Sequence, residues 1–493
     1  MKKENQEKSQ VARILDTAIV ACLFLFAVAA PNSIAATQTA WLLGMAFWLL
    51  RFAFYPRPKL ERTPVDYFLL GFFILSGLSC LFSYEPLVSL GKMRAASLFT
   101  IVYLFSQNVP SRRVIRLLAL ALVSACMANV IFTGAQRLLG SGVKVYNLSE
   151  SSPLYKAGVR DGDTLLTVDG AKLQDPQELV NELSKPDKKV VTLTAYRHEW
   201  VLPIKLQRGI LLAGNNALEQ LGVGSWSKGR DWRASGFFGN FVTYAEALQL
   251  ILALTVGFFV ALPRKRSLIG AALLVALAGM VGALMLTVTR ASWLAFAIST
   301  ALILLVSVSR RAVLVAGVLA IPLILAGLFV LQQKRNVGFI DRQDQSTSWR
   351  ETVWREGFHL LVSKPRHLLV GIGMDSIKSH WREWGMFDKG RLPWGHMHSN
   401  LLQIALERGL PALLLWLSLL LIYARTIWRL LSDKSRLDWR EHGILLGALG
   451  GLLGFFVSGL VHYNWGDSEV IMIFYFVMGL VMALNHKLAA AEH

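Results

Sequence analysis

The sequence predicts an α-helical polytopic membrane protein of about twelve spans, with a small, partly β domain inserted between the fifth and sixth spans. Three observations predict it. The 493 residues are 54% hydrophobic with a mean hydropathy of +0.46. Apolar runs near the ~20 residues that cross a bilayer recur along the chain. Basic residues also cluster in alternate loops between these runs.

The apolar runs define the expected spans. The first follows a polar, basic start without a convincing cleavage motif, so we interpret it as a retained span. The spans are predicted at about residues 12–30, 34–54, 66–83, 91–106, 114–134, 237–262, 267–288, 291–308, 312–331, 400–424, 442–461 and 468–485.

The net charge of +19 is explained by topology. With a cytoplasmic N-terminus, the inside loops are rich in Lys and Arg and the short outside loops hold almost none, which is the positive-inside pattern. Both termini are then cytoplasmic, and no nucleic-acid partner is expected. The spans also predict three regions: helices one to five (1–140), an outward-facing insert (141–208), and helices six to twelve (209–493) with a large outer loop (332–399).

The insert alternates apolar and polar residues as strands do. Strands are expected at 143–147, 164–168, 190–197 and 199–206, a helix at 176–183, and a turn at Asp169-Gly170. This pattern predicts a small α+β domain.

The large outer loop contains an amphipathic helix and many aromatic residues. Ser348 and Glu351 have the spacing of a capping box, and Trp349, Val353, Trp354, Phe358 and Leu361 are expected on one face. Indole rings anchor at membrane interfaces and also stack on sugars, so Trp354 is a candidate for substrate binding, with interfacial anchoring as the alternative.

Candidate chemistry comes from residues that break the positive-inside pattern. Arg233 precedes span six, Arg290 lies in the tight turn before span eight, and His398 immediately precedes span ten. Three chain segments thus bring two permanent cations and one imidazole to the outer face. Further candidates for substrate binding nearby are Lys92, Arg94 and Asn400.

These residue types suit one reaction class. The planar fork of an arginine matches diphosphate oxygens and stays charged, so arginines can stabilise a departing lipid-linked diphosphate. An imidazole can take a proton from an attacking sugar hydroxyl near neutral pH. Because neither a phosphate-binding Gly-rich loop nor a His/Cys metal cluster is evident, no metal and no other cofactor is expected.

The insert resembles a known module. Residues 152–170, SPLYKAGVRDGDTLLTVDG, are similar to the signature of bacterial PDZ domains. The resemblance implies binding of a protein partner by strand addition. The chain leaves the membrane only a few residues before Val143, so the first strand and the carboxylate loop are expected to be short. A role as a docking module or spacer stays open.

A second resemblance covers about residues 230–425. The segments RASGFFGNFVTYAEAL, TVTRASWLAFAIS, SWRETVWREGFHLLVSKPRHLLVGIG and HSNLLQIALERGLPALLLWL are similar, in that order, to the motifs of the O-antigen ligase and O-antigen polymerase (Wzy-C type) family. The resemblance implies a GT-C type membrane glycosyltransferase of the bacterial inner membrane. It would take a glycan from undecaprenyl diphosphate on the periplasmic side. Arg233 and Arg290 would hold the diphosphate, and His398 would activate or position the acceptor hydroxyl.

The acceptor stays open at this point. O-antigen ligation to lipid A-core in lipopolysaccharide biosynthesis is the first reading. Polymerisation of O-antigen or exopolysaccharide and oligosaccharide transfer to Ser or Thr of a protein are the alternatives. A transporter or a PDZ-bearing assembly scaffold is the non-enzymatic one. Glu407 matches a family position but lies about two helical turns deeper than His398, which favours a structural role.

Overall fold

The computed structural model describes residues 9–186, 189–197, 200–307 and 345–491. The chain divides into two compact units. The helical unit comprises Met1–Asn129 and Phe237–His493, and the inserted unit comprises Val130–Gly236. The inserted unit extends past residue 208 because a further strand beyond that point pairs with its first strand.

The helical unit is built almost entirely from α-helices. Its first six helices are α1 Gln10–Ala29, α2 Ile34–Arg51, α3 Asp66–Leu81, α4 Pro86–Ala96, α5 Thr100–Asn108 and α6 Arg112–Leu139, the last of which continues into the inserted unit. After the insert come α10 Phe241–Ala261, α11 Leu268–Leu286, α12 Arg290–Ser307, α13 Gln345–Val362, α14 Pro365–Val370, α15 Ile377–His380, α16 Met386–Gly390, α17 Asn400–Ser432, α18 Trp439–Ser458 and α19 Ser468–Ala489.

The polytopic, mostly helical fold is confirmed, but the number of twelve spans is not. Within the described residues, nine helices are long and apolar enough to cross a membrane, with α4 and α5 counted as one segment, Pro86–Asn108. Helix α3 has 16 residues and is shorter, and α2 is not among the nine. The expected span at 312–331 lies outside the described residues.

Close helix packing in the helical unit depends on small residues. A Cβ on Gly257 of α10 would lie 2.3 Å from the carbonyl oxygen of Gly443, and one on Gly447 would lie 2.4 Å from Cα of Leu254. Helices α10 and α18 therefore meet backbone to backbone, which is how helices gain packing energy where lipid supplies no hydrophobic force. Helix α12 joins them, since Ser299 Oγ donates to the carbonyl of Gly450 (2.6 Å).

Helix α17 is interrupted near its start. Gly409 has φ +83°, and Pro411 has no N–H to donate to the carbonyl of Glu407. Other groups take the missing donor's place: Ser79 Oγ donates to that carbonyl (2.6 Å) and so does the Gly373 amide (3.0 Å). The break thus separates a short, buried first part of α17 from the long apolar part that follows.

The inserted unit is a six-stranded antiparallel sheet with small helices, and its α+β character is confirmed. Its strands order as β5-β4-β2-β1-β6, with β3 paired to β2. The elements are β1 Val143–Leu148, α7 Pro153–Lys156, β2 Thr164–Val168, β3 Ala171–Lys172, α8 Pro176–Leu183, β4 Val190–Arg197, β5 Trp200–Gln207, α9 Ala217–Leu221 and β6 Val223–Lys228.

The amphipathic helix of the outer loop begins earlier than its pattern predicts. Helix α13 starts at Gln345, so Ser348 lies inside it and is not the capping residue. Val353 and Leu361 are buried as expected, whereas Phe358 is 57% exposed. The apolar face is therefore narrower than the sequence predicts, and it packs on the segment that precedes α17.

Candidate functional site

His398 lies in the loop that leads into α17, and its backbone is strained. Its φ is +47°, in the left-handed region that non-glycine residues rarely adopt. The half-buried imidazole packs edge-on against Trp349, with ring centroids 4.4 Å apart, and lies 3.9 Å from the ring of His396. Such strain costs about 1–3 kcal/mol and persists only where neighbouring contacts hold it.

Burial and nearby cations determine the charge of His398. Burial is the largest cause, and together with the charges of His396, Arg350 and His462 it lowers the pKa of His398 to about 2. Burial likewise lowers the pKa of His396 to about 4. Both imidazoles are therefore neutral at neutral pH, and His396 Nδ1 accepts a hydrogen bond from the His398 amide (3.2 Å). A neutral imidazole can accept a proton.

The residue before His398 is held from two sides. Trp354 Nε1 donates to the carbonyl of Met397 (2.8 Å), and the Met397 amide donates to Gln403 Oε1 (2.6 Å). Trp354 comes from α13 and Gln403 from α17, so the two helices fix the strained loop between them. The indole N–H of Trp354 is thus used within the protein.

A buried carboxylate anchors Gln403 in turn. Gln403 Nε2 donates to Glu407 Oε1 (2.8 Å), which also accepts from the Asp375 amide (2.9 Å). Glu407 Oε2 accepts from Arg408 (2.7 Å) and from the hydroxyl of Tyr463 (3.3 Å). The two oxygens of Glu407 thus accept four hydrogen bonds, which fix the position of the carboxylate. These contacts favour the structural role expected for Glu407.

Asn400 joins the start of α17 to the end of α18. Its amide N–H donates to the carbonyl of Gly459 (2.7 Å), and its side chain donates to Asn464 (2.6 Å) and accepts from the Trp465 amide (3.1 Å). Asn400 is 1% exposed. This geometry favours a positioning role over the substrate contact that the sequence suggested.

A second histidine lies beside this loop. His462 Nδ1 is 2.9 Å from Glu246 Oε1, and their side chains are 8% and 2% exposed. Glu246 belongs to the first turns of α10, whose start is capped by Asn240. The pair therefore joins α10 to the segment after α18. His462 is also one of the groups whose charge lowers the pKa of His398.

Arg290 begins α12 at the same end of the helical unit. Helices α12 and α18 run antiparallel, because Ile303 lies against Gly450 and Ala295 lies against Gly454. From the Ser299–Gly450 contact, both Arg290 and the end of α18 are roughly 12–14 Å away along their helices. Arg290 is therefore level with Gly459, to which Asn400 is bonded.

The remaining candidates lie on other segments of the chain, Lys92 and Arg94 on α4 and Arg233 in the inserted unit. Lys92 of α4 is 3.1 Å from Asp375, the residue whose amide binds Glu407, and is 47% exposed. Arg94 is exposed on the same helix. Arg233 belongs to the inserted unit. Of the candidates, the structure thus joins His398, Trp354 and Asn400 in one loop assembly.

Sequence reasoning missed several groups of this assembly, among them Arg350, His396 and His462. Arg350 follows Trp349 in α13, and His396 stands in the same short segment as His398, but neither position alone indicates a partner. His462 and Asn464 follow α18 in a His-x-Asn pattern, as His398 and Asn400 precede the rest of α17. This His-x-Asn pattern, repeated at two helix ends, is the sequence feature that could have indicated His462.

In the part of the chain that the structure describes, no group of three or more His, Cys, Asp and Glu side chains is placed to hold a metal ion.

Comparisons with known proteins agree with both resemblances. Residues 128–207 match the family model of the PDZ domain, and no curated protein matches the chain. A second family model, that of O-antigen ligase, matches a segment that includes Arg290, His398 and the first part of α17. This match supports a role in glycan transfer at the membrane. The matched segment is residues 275–417, which contains the motifs around His398.

Proposed function

We propose that this protein transfers a glycan from undecaprenyl diphosphate to an acceptor hydroxyl at the periplasmic face of the bacterial inner membrane. The acceptor that we propose is lipid A-core, so the reaction is O-antigen ligation in lipopolysaccharide biosynthesis. One observation carries the proposal: a strained, neutral imidazole is held by two helices inside the segment that matches the O-antigen ligase family.

In the proposed reaction the acceptor oxygen attacks the anomeric carbon of the donor sugar. The new bond forms between these two atoms while the bond from the anomeric carbon to the phosphate oxygen breaks. The electron pair leaves with the diphosphate, and His398 takes the hydroxyl proton. The neutral state of His398 meets the first requirement of a base, which is an empty proton site.

The low pKa of His398 in the free protein fits a role that begins when the donor binds. A base of such low pKa holds a proton poorly by itself. One negative charge about 5 Å away raises the pKa of an imidazole by roughly two units at an effective dielectric constant near 20. The bound diphosphate would therefore strengthen His398 as a base.

Cations supply the other half of the mechanism. Arg290 and Arg233 are proposed to hold the diphosphate, with Lys92 and Arg94 as outer contacts. Negative charge on the diphosphate grows as it leaves, so arginine forks placed there lower the barrier more than they strengthen ground-state binding. Arg350 already acts on His398 and would add positive charge beside the reacting atoms.

We also propose that the PDZ domain recruits a periplasmic protein. Strand β1 is paired on both sides, by β2 and β6, so the open edges of the sheet are β5 and β6. A partner strand would therefore add to an outer edge and not to β1.

Reconstituted transfer tests the function. Purified full-length protein in liposomes is given an undecaprenyl-diphosphate-linked glycan together with lipid A-core, and the products are separated by gel and mass spectrometry. Glycosylated lipid A-core is the expected product. Longer chains on the lipid carrier alone would assign a polymerase, and glycan on an added Ser/Thr protein acceptor would assign a protein glycosyltransferase. If no product forms with any of these acceptors, the proposal that the protein is an enzyme is refuted.

A further inference from the structure

A cationic cleft of about 520 Å³ lies within the inserted unit, beside the first and last strands of its sheet. Lys144 and Tyr146 of β1 line one wall, and Lys228 and Arg230 line another. Leu139, the last residue of α6, completes it with Asp231. The cleft therefore combines three cations, one aromatic ring and one apolar side chain.

The cations of this cleft exceed its anions. Lys144 Nζ is 2.7 Å from Asp231 Oδ2, and Thr164 Oγ1 donates to the other oxygen of that carboxylate (3.2 Å). Asp231 is thereby neutralised. Lys228 and Arg230 are exposed, and the described residues provide no side-chain partner for either. Two positive charges remain for a ligand.

The cleft lies where a membrane-crossing helix ends. Helix α6 has 28 residues and is roughly 42 Å long, which exceeds the ~30 Å hydrocarbon core, so its last turn reaches the headgroup layer. Leu138 and Leu139 in that turn are 77% and 72% exposed. Arg137 donates to the carbonyl of Trp232 (2.9 Å), which holds the segment carrying Arg230 and Asp231 against this helix end.

We propose that this cleft binds the phosphate group of an anionic membrane lipid in the leaflet where α6 ends. Lys228 and Arg230 contact the phosphate, with Arg230 able to donate two parallel hydrogen bonds to its oxygens. Leu138 and Leu139 lie against the lipid's acyl chains. Apolar side chains beside unpaired cations match the two chemical halves of a lipid at this depth. The proposal does not depend on the proposed glycan transfer.

Native mass spectrometry of the full-length protein tests it. The protein is exchanged into a neutral detergent and offered equimolar phosphatidylglycerol and phosphatidylcholine, and retained lipid is counted. The wild-type protein is expected to retain phosphatidylglycerol in preference to phosphatidylcholine. The double variant Lys228→Glu with Arg230→Glu is expected to weaken phosphatidylglycerol binding about tenfold or more, since each basic residue near an anionic lipid contributes roughly a factor of five.

A matched variant controls for charge and for lipid bound elsewhere. Lys172→Glu with Lys205→Glu changes the charge of the same unit by the same amount at exposed positions outside the cleft, and it is expected to retain lipid as the wild type does. Equal retention by the two double variants, at equal melting temperatures, would overturn the proposal. Displacement of the lipid by millimolar inorganic phosphate would also overturn it, because the cleft would then recognise free phosphate.

Discussion

The loop at His398 and the cleft at Lys228 differ in whether their polar and charged side chains are paired within the protein. At the loop, polar groups are buried and bonded to one another, from Met397 through Gln403 to Glu407. At the cleft, Lys228 and Arg230 are exposed and lack side-chain partners in the described structure. The first arrangement fixes geometry, as a reaction requires, and the second leaves charge available, as binding requires.

Candidate residues cannot be ranked by residue type alone. Asn400 and Trp354 were suggested as substrate contacts because a polar side chain can bind a substrate by hydrogen bonds and an indole ring can stack on a sugar. Both already donate to protein groups. Substitutions in the loop should therefore affect the rate of a reaction far more than substitutions in the inserted unit do.

The largest expected effect comes from His398→Ala and Arg290→Ala. Each should lower glycan transfer by about 10²–10⁴-fold, because one removes the proposed base and the other removes the charge proposed to stabilise the leaving diphosphate. The measurement is initial rate in the reconstituted assay, at equal protein level in the membrane. His359→Ala, at an exposed position of α13, is the matched control and should transfer normally. Wild-type rates from His398→Ala would remove the base assignment.

The next effect tests whether the buried network positions His398. Gln403→Leu removes the acceptor of the Met397 amide, and a displacement near 1 Å at the reacting atoms can cost about 10²-fold. We expect kcat to fall while KM for the donor stays within twofold.

The control for that variant is Gln249→Leu. Gln249 is a buried amide without a hydrogen-bond partner among the described residues, so its replacement by leucine should leave kcat unchanged. Equal losses in both variants would mean that the effect is general destabilisation of the helical unit.

A smaller effect is expected from Arg233→Lys. If the guanidinium fork of Arg233 binds two diphosphate oxygens, lysine keeps the charge and loses one hydrogen bond, which costs roughly tenfold in kcat/KM. Arg233→Ala should cost more. A lysine variant that matches the wild type would show that only charge matters at this position.

The pH dependence should be nearly flat where an ordinary histidine would titrate. The lowered pKa of His398 means that the free protein gains its proton only in strong acid, so the base is lost as pH falls through that low value. Between pH 5.5 and 8, kcat/KM should change by less than about twofold on account of His398. An acid limb near pH 6.5 that disappears in His398→Gln would contradict the burial of this imidazole.

The smallest effect should come from removing the PDZ region. The Ser141 amide donates to the carbonyl of Gly229 (2.9 Å), so the ends of a deletion of 141–229 can be joined by a short linker. A deletion ending at 208 would leave β6 without its partner β1. Transfer in liposomes should stay within about twofold of the wild type if the domain serves recruitment. Complete loss in a folded variant would make the domain part of the reaction.

Much of the fold could be predicted because its signals are local. Hydropathy located spans such as α10 and α19, and alternation located β2 and β4 of the insert. Strand β6 was missed because its partner β1 lies some eighty residues earlier, and Gly224 and the serines in β6 give a weak strand pattern. The break at Gly409 could be suspected from Pro411, but the donors that replace the lost hydrogen bonds come from α3 and from the loop at Gly373.

The sequence by itself determined the class of the protein, the apolar helices and the PDZ module, since each depends on neighbours along the chain. Only the tertiary structure decided what surrounds His398. Its neighbours come from α13, α17 and the segment after α18, and burial among them is the largest cause of its lowered pKa. Burial and charge proximity depend on distances in space, and a local sequence pattern does not determine the distances between remote segments.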